Sequence, residues 1–583
     1  MSIRQAESDI PGFRHGLLQR ELQVGVISSV SAQLAKFNLS EAGSPSATHV
    51  RGGRYGRGEV GEFVLIEGQT SLLLGRIVEV RLPDRDRRSI NPSQSRFTEL
   101  DAIGLIQLLG TVAMDSVQVT AGVACYPRLG DRVYSAPHEF LSELPRLMET
   151  RGESVTVQLA LGSIDSAFES IVYVKPEKLF GRHCAILGAT GGGKSWTTAR
   201  VIEECLKHKS KMILLDATGE YRGFTGDAVT HCHLGQPSEK ADGSTQASLP
   251  PMCFNESDFI ALFEPSGKVQ GPKLRSAIRS LRLATLKPAL ATNGVIRKID
   301  QSKVSVVAAE QEVGIAEKLE DPSQPFDVTK LTAQIEQECV YPEGFGATRG
   351  TKDPNKWGGE SGEFSYCLTL VSRISGVLTS ASLECTFKHV EHPITEAIKQ
   401  FLAAENKKLL RICLSGVSSE YKAREIVANA VGRHLLGLAR GGAMKERPVV
   451  VFVDEAHSFL GRHIGGDDTI ARLDAFELIA KEGRKYGLNI CLATQRPRDI
   501  TEGVLSQMGT LVVHRLTNDK DREVVERACG EIDRSAASFL PSLKPGEAAI
   551  VGADFPIPLT IQIATPDAEP KSDGPRYQKH WAT

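Results

Sequence analysis

The residues most capable of chemistry lie in one short run, Gly188-Ala189-Thr190-Gly191-Gly192-Gly193-Lys194-Ser195. Its spacing fits G-x-x-x-x-G-K-[ST], a loop that cradles phosphate groups. Glycines let backbone N–H groups curl around phosphate oxygens without obstruction by side chains, and a helix starting at the end of the loop adds the positive end of its dipole. In such a loop Lys194 reaches the β- and γ-phosphates of ATP, Ser195 ligates Mg2+, and Trp196 closes the binding stretch. The bland alternative is a Gly-rich turn. It is disfavoured by context, because the apolar HCAILG (183–188) reads as a buried strand before the loop and SWTTARVIEECLKH (195–208) has helical spacing after it.

A phosphate loop needs a carboxylate from another strand, and VVVFVDE (449–455) supplies one. The apolar run drives the strand into a sheet, and Asp454 and Glu455 emerge at its carboxyl end, where open α/β sheets present ligands. Asp454 suits a magnesium shell and Glu455 suits the base that polarises an attacking water. The alternative is an acidic pair that caps a helix. LATQRP (492–497) ends a further strand with Thr494 and Gln495, neutral groups suited to sensing a γ-phosphate, or forming a polar turn. Arg182, before the first core strand, and Arg484, in AKEGRKYG (480–487), are candidates to stabilise the transferred phosphoryl from a neighbouring subunit; either could instead be a structural ion pair.

These residues must be held by an α/β core. The order strand (183–188), loop, helix (195–208), strand KMILLDATGEY (211–221) is a βαβ unit and implies a parallel sheet. KLLRICLSGV (408–417), PVVVFVDEAH (448–457), LNICLATQR (488–496), TLVVHRL (510–516) and EAAIVG (547–552) are further strands, and EYKAREIVANAVGRHLLGLA (420–439) is an amphipathic helix. The expected organisation is an N-terminal all-β barrel over 1–165, the first part of the core over 166–224, a mainly helical insertion over 225–400, the second part of the core over 401–555, and a polar tail over 556–583. The barrel expectation rests on short alternating runs such as GEFVLIEG (61–68), GRIVEVRL (75–82) and ESVTVQLALG (153–162). Exposed loops are expected at 52–58 and 83–96.

Bulk properties bound the function. With 583 residues the chain needs several domains. A net charge of −2 gives no direct sign of nucleic acid, although a ring can line a channel with a few basic groups. The 11 Cys form no C-x-x-C pair and read as buried small hydrophobes in a reducing compartment. His231-Cys232-His233 lacks the further ligands of a metal knuckle and reads as strand. No run approaches the roughly 20 apolar residues of a membrane helix, and the amino end is not a secretory signal, so a cytoplasmic protein with no membrane partner is expected.

Taken together, GRHCAILGATGGGKSWT (181–197), ILLDATGEYRG (213–223), LLRICLSGV (409–417), VVVFVDEAHSFL (449–460), AKEGRKYGLNICLATQRP (480–497), LSQMGTLVVHRLTNDKD (505–521) and LKPGEAAIVG (543–552) resemble HerA-type ATPases of the FtsK–HerA branch of RecA-like motors. The likeness covers most of 170–555, and the β-rich first part is similar to the family's barrel only weakly. It implies a RecA-like fold and a homo-hexameric ring that translocates double-stranded DNA with ATP. It further implies that Lys194 and Ser195 bind nucleotide and metal, that Glu455 is catalytic, that Gln495 senses phosphate, and that Arg182 and Arg484 act at a subunit interface. Asp216 and Glu220 would support the site or that interface. Gly192 departs from the Ser of many members, a mild change because the backbone amide makes the contact. Relatives work with nucleases in DNA-end processing, or with nuclease or sirtuin-like effectors in antiphage defence. A ring that chiefly scaffolds such an effector, with ATP as regulator, is therefore a second expectation. A membrane-tethered DNA pump is a third, disfavoured by the lack of a span.

Overall fold

A computed structural model describes residues 16–39, 48–50, 53–56, 58–82, 102–148, 157–164, 170–322, 324–346, 351–388, 391–460, 463–464, 471–529, 539–571 and 581. The expected loop 83–96 lies outside them, as do residues 52 and 57 of the expected loop 52–58 and, apart from residue 581, the polar tail beyond 571. Gly53–Tyr55, inside that expected loop, is instead a short strand paired antiparallel with Thr48–Val50. The chain forms two compact units: Met1–His208, Thr494–Arg498 and Leu505–Glu569 in the first, and Lys209–Ala493, Asp499–Val504 and Pro570–Thr583 in the second.

The first unit opens with a closed antiparallel barrel. Its strands run Leu34–Leu39, Gln23–Val30, Arg132–Ser135, Phe63–Ile66, Ser71–Arg81 and Ala102–Ala113 around the wall, and the last pairs back with Leu34–Leu39. Closure removes the unpaired edges of an open sheet. Ala102–Ala113 shows the expected alternation of buried and half-buried positions. Val24, Ile27, Phe37, Val64, Ile66, Leu73, Ile77, Ile106 and Val133 point inward as one core. Phe37 is fully buried, and a Cβ at Gly104 would come within 2.1 Å of its ring, so glycine at 104 is what admits the phenyl group.

The same unit carries a second sheet in the order Ile171–Val174, Leu159–Ser163, Phe555–Ile563, Glu547–Gly552, Thr510–Val513, Cys184–Leu187. Only the last pair, Thr510–Val513 with Cys184–Leu187, is parallel; the others are antiparallel. Two expectations are corrected here. Leu159–Ser163 was assigned to the barrel but pairs in this second sheet, because alternation shows which face is buried and not which strand is the neighbour. Phe555–Ile563 occupies residues assigned to the tail. Its Pro556 and Pro558 argue against a central strand, but pairing with Leu159–Ser163 is confined to Gln562 and Ile563, so both prolines sit where the other edge makes no demand for an N–H.

The second unit holds a parallel sheet in the order Leu488–Thr494, Val449–Val453, Met212–Asp216, Leu409–Gly416, Val229–Gly235, Thr245–Ala247. Strands covered on both faces read as continuous apolar runs, as Met212–Asp216 and Val449–Val453 do. The helix Ala423–Arg440 lays Ile426, Val427, Ala430, Val431, Leu435 and Leu436 into the interior at helical spacing. The region 225–400 opens with two sheet strands, Val229–Gly235 and Thr245–Ala247, and becomes helical only from Glu256. Its helices include Glu256–Phe263, Gly267–Leu286, Leu331–Glu338, Phe364–Thr379 and Ile394–Ala403. His231, Cys232 and His233 lie in the first of those strands, where His231 Nε2 donates to the Phe224 carbonyl at 2.9 Å. Among the described residues no single helix is long and apolar enough to cross a membrane.

Candidate phosphate loop and acidic strand end

In the first unit the loop joins the fully buried strand Cys184–Leu187 to the helix Lys194–Leu206. The Gly188 N–H donates to the Thr494 carbonyl at 3.3 Å, the Ala189 N–H to Arg515 at 3.1 Å and the Gly192 N–H to Ala189 at 2.9 Å. The chain turns into the helix through Gly193, whose φ of 111° is open to glycine and strained for other residues. Thr190, at the exposed crown, donates its hydroxyl to Gln495 Oε1 at 2.5 Å. Lys194 is buried, and Ser195 and Trp196 are half-buried. The helix is tied down at its far end. Arg200 donates to the Ala160 carbonyl at 2.9 Å and pairs with Glu204 at 2.7 Å, while Glu204 accepts from the Ala160 N–H at 2.9 Å. Under the loop, buried His514 contacts the Thr197 hydroxyl through Nε2 at 2.7 Å and the Glu547 carbonyl through Nδ1 at 2.8 Å. Burial pulls its imidazole down to about 4, partly offset by the Glu547 carbonyl, so the ring is neutral.

In the second unit the strand Val449–Val453 ends in Asp454 and Glu455. Asp454 is almost fully buried; its N–H donates to the Leu215 carbonyl at 3.1 Å, and its carboxylate accepts long bonds from Thr218 Oγ1 at 3.4 Å and Tyr221 OH at 3.5 Å. A buried carboxylate of this kind offers the hard oxygen donors that Mg2+ prefers. Glu455 has φ 48°, a left-handed conformation that costs a non-glycine residue about 1–2 kcal/mol. Such strain clusters where function holds a side chain in place. Its Oε2 lies 3.2 Å from His457 Nδ1, and its side chain keeps 14% of its surface exposed.

The turn after the next strand is organised by Asp216. Fully buried, it accepts N–H bonds from Gly219 at 2.7 Å, Glu220 at 3.2 Å and Tyr221 at 3.1 Å, and is paired with buried Arg411 at 2.7 Å. This carboxylate shapes the segment that carries Thr218 and Tyr221 to Asp454.

The first unit thus brings together residues 188–196, Thr494 and Gln495, and the second brings together Asp454, Glu455 and Asp216. Glu220 lies in the Asp216 turn, with Oε2 buried and unpartnered among the described residues. Arg182 is over half exposed and lies 3.5 Å from Asp554 in the first unit. Arg484 is exposed in the turn Gly483–Tyr486 of the second. Sequence reasoning missed His514, Thr197, Thr218, Tyr221 and Arg411 as parts of these sites. A signal existed for two of them: Arg411 is a charge inside an apolar strand, and His514 directly follows the apolar strand Thr510–Val513.

Two family models match. "Helicase HerA, central domain" matches residues 159–329, and "Helicase HerA-like C-terminal" matches 438–540. The chain is 25% identical over 411 residues to the probable DNA double-strand break repair helicase HerA of Methanocaldococcus jannaschii, covering 67% of this chain and 73% of that one. It is 24% identical over 388 residues to the DNA double-strand break repair helicase HerA of Saccharolobus solfataricus, covering 66% and 64%. Among solved structures, the bacterial conjugative coupling protein TrwB aligns over 74% of this chain and 94% of its own at 14% identity, with a TM-score of 0.43. The phosphate loop and the two family matches together make this chain a P-loop ATPase with an N-terminal β-barrel, similar to HerA helicases over residues 159–329 and 438–540.

Proposed function

We propose that this ATPase is a motor that moves double-stranded DNA through a homo-hexameric ring and works with a nuclease or sirtuin-like effector in DNA processing or antiphage defence. The observation that carries the reading is the loop 188–195, opened by Gly193 and joined at its crown to Gln495. Curated relatives that match the chain are named DNA double-strand break repair helicases.

In this reading the backbone of residues 188–196 and the Lys194 ammonium hold the phosphates of ATP. The Ser195 hydroxyl and the Asp454 carboxylate are the residues that would offer oxygen ligands to Mg2+, each from its own unit. When bound, the metal neutralises charge on the phosphate oxygens. Glu455 takes up hydrogen-bonding from the attacking water and polarises it. Gln495, whose Oε1 accepts from Thr190, is the group that would sense a γ-phosphate oxygen. Arg182 and Arg484 are the candidates to stabilise the phosphoryl from an adjacent protomer, and the Asp554 contact gives Arg182 a competing structural role. The test is ATP turnover with and without linear duplex DNA across a salt series. DNA-stimulated hydrolysis supports the reading, and its absence with and without the effector at every salt removes its main support.

The barrel favours a second reading. A closed sheet with its own core is a ready docking body for an effector, so the ring could serve mainly as a scaffold that nucleotide regulates. Effector activity that persists without the ring would exclude it.

A further inference from the structure

The concave back of the phosphate loop rests on an imidazole. A Cβ at Gly188 would lie 2.7 Å from His514 Cβ, one at Gly192 would lie 3.4 Å from the same atom, and one at Gly193 would lie 3.2 Å from Cε1. Three glycines of the loop are therefore packed on one side chain, and that side chain is fully buried. Its hydrogen bonds determine its tautomer. A carbonyl oxygen only accepts, so Nδ1 carries the proton and donates to Glu547; Nε2 is then bare and accepts the Thr197 hydroxyl. Thr197 stands in the first turn of the helix that Lys194 begins, and its N–H donates to the Gly193 carbonyl at 2.9 Å. Glu547 belongs to the segment whose Gly546 N–H donates to the Gly192 carbonyl at 3.4 Å. The ring thus links both sides of the loop.

We propose that His514 is a positioning residue for the nucleotide phosphates: a neutral imidazole wedge, clamped between Glu547 and Thr197, that sets the curvature of the loop 188–193 and the start of the Lys194 helix. The inference rests on the phosphate-loop reading above. The wedge touches no reacting atom, so it governs how well the loop receives phosphates and leaves the water-activating groups alone.

The full-length protein tests this through Thr197→Val, Thr197→Ser and His514→Asn. Valine removes the hydroxyl at nearly constant volume, and asparagine keeps a donor toward Glu547 while giving up the acceptor for Thr197. Thr197→Val and His514→Asn are expected to raise both the KM for ATP and the Kd of a fluorescent ADP analogue by about threefold to tenfold, the factor one neutral hydrogen bond is worth, with kcat within about twofold of wild type. The double variant should be no worse than the poorer single, because both remove the same bond. Thr197→Ser, which restores the donor, should return both constants to wild type. A merely structural role would instead lower the melting temperature and active fraction and leave KM unchanged. Wild-type KM and Kd in Thr197→Val, or additive effects in the double variant, would overturn the proposal; if His514→Asn does not fold, the valine and serine variants still decide it. Lys194→Ala serves as the control. If it binds nucleotide normally, the phosphate-loop reading falls and this inference with it. If it loses binding while Thr197→Val and His514→Asn bind as wild type, this inference alone falls.

Discussion

Behind the phosphate loop, the two buried side chains that link its sides, His514 and Thr197, are neutral, and glycine supplies the curvature; the buried charges there are Lys194 of the loop itself and Glu204 further along its helix. Around the acidic strand end the supporting side chains are charged. Asp216 and Arg411 form an ion pair with almost no exposed surface. The difference has a physical reason. A loop that receives polyanions through its amides gains nothing from a competing carboxylate nearby. A strand end that must present two carboxylates needs a rigid support, and the Asp216 pair provides it through the turn carrying Thr218 and Tyr221.

The largest stability effect should come from the charged side. Arg411→Met leaves Asp216 buried without its cation and should cost about 3–5 kcal/mol, read as a lower denaturant midpoint. Adding Asp216→Asn, whose one amide oxygen can still accept from Gly219 and Glu220 but whose NH2 cannot accept from Tyr221, should recover part of that loss by removing the buried unpaired charge. Equal midpoints for Arg411→Met and wild type would show that the charge pair carries no structural load.

The neutral side should show itself in pH. His514 is held to about 4 in the folded chain, against an ordinary value of 6.5. The unfolded chain therefore binds a proton that the folded chain refuses. Stability is unaffected above pH 6.5 and declines as pH falls from there toward 4, by roughly 2 kcal/mol at pH 5 from this group. His231, His233 and His434 are also lowered by burial and add to the slope. The difference between wild type and His514→Asn isolates the one residue, and a variant whose melting temperature keeps the same pH dependence would contradict a neutral wedge.

The smallest effect belongs to Tyr221→Phe. Its bond to Asp454 is long at 3.5 Å, so the variant should lose well under about 1 kcal/mol of stability and only a few-fold in turnover. A collapse of turnover would mean that this hydroxyl does more than orient Asp454.

The two regions also differ in how far the sequence reveals them. The loop's backbone chemistry is contiguous, so its spacing and flanking elements identify it. The acidic pair is legible because an apolar strand ends in it. What supports each is not, since the partners lie far apart in the chain: Arg411 and Asp216 are 195 residues apart, and His514 and Thr197 are 317 apart. Only the folded sheet brings them together. The same limit explains the strands. The alternation of Leu159–Ser163 showed a half-buried strand without showing its partner, and the prolines of Phe555–Ile563 disguised a strand whose second edge is mostly unpaired.

In the proposed reading, phosphate binding rests on Lys194 and water activation on Glu455. It is tested most directly by measuring nucleotide affinity and single-turnover hydrolysis side by side in Lys194→Ala and Glu455→Ala. The expected result is lost binding in the first, and near-normal binding with hydrolysis slowed by about 10²–10⁴-fold in the second. Normal turnover in Glu455→Ala would contradict the account.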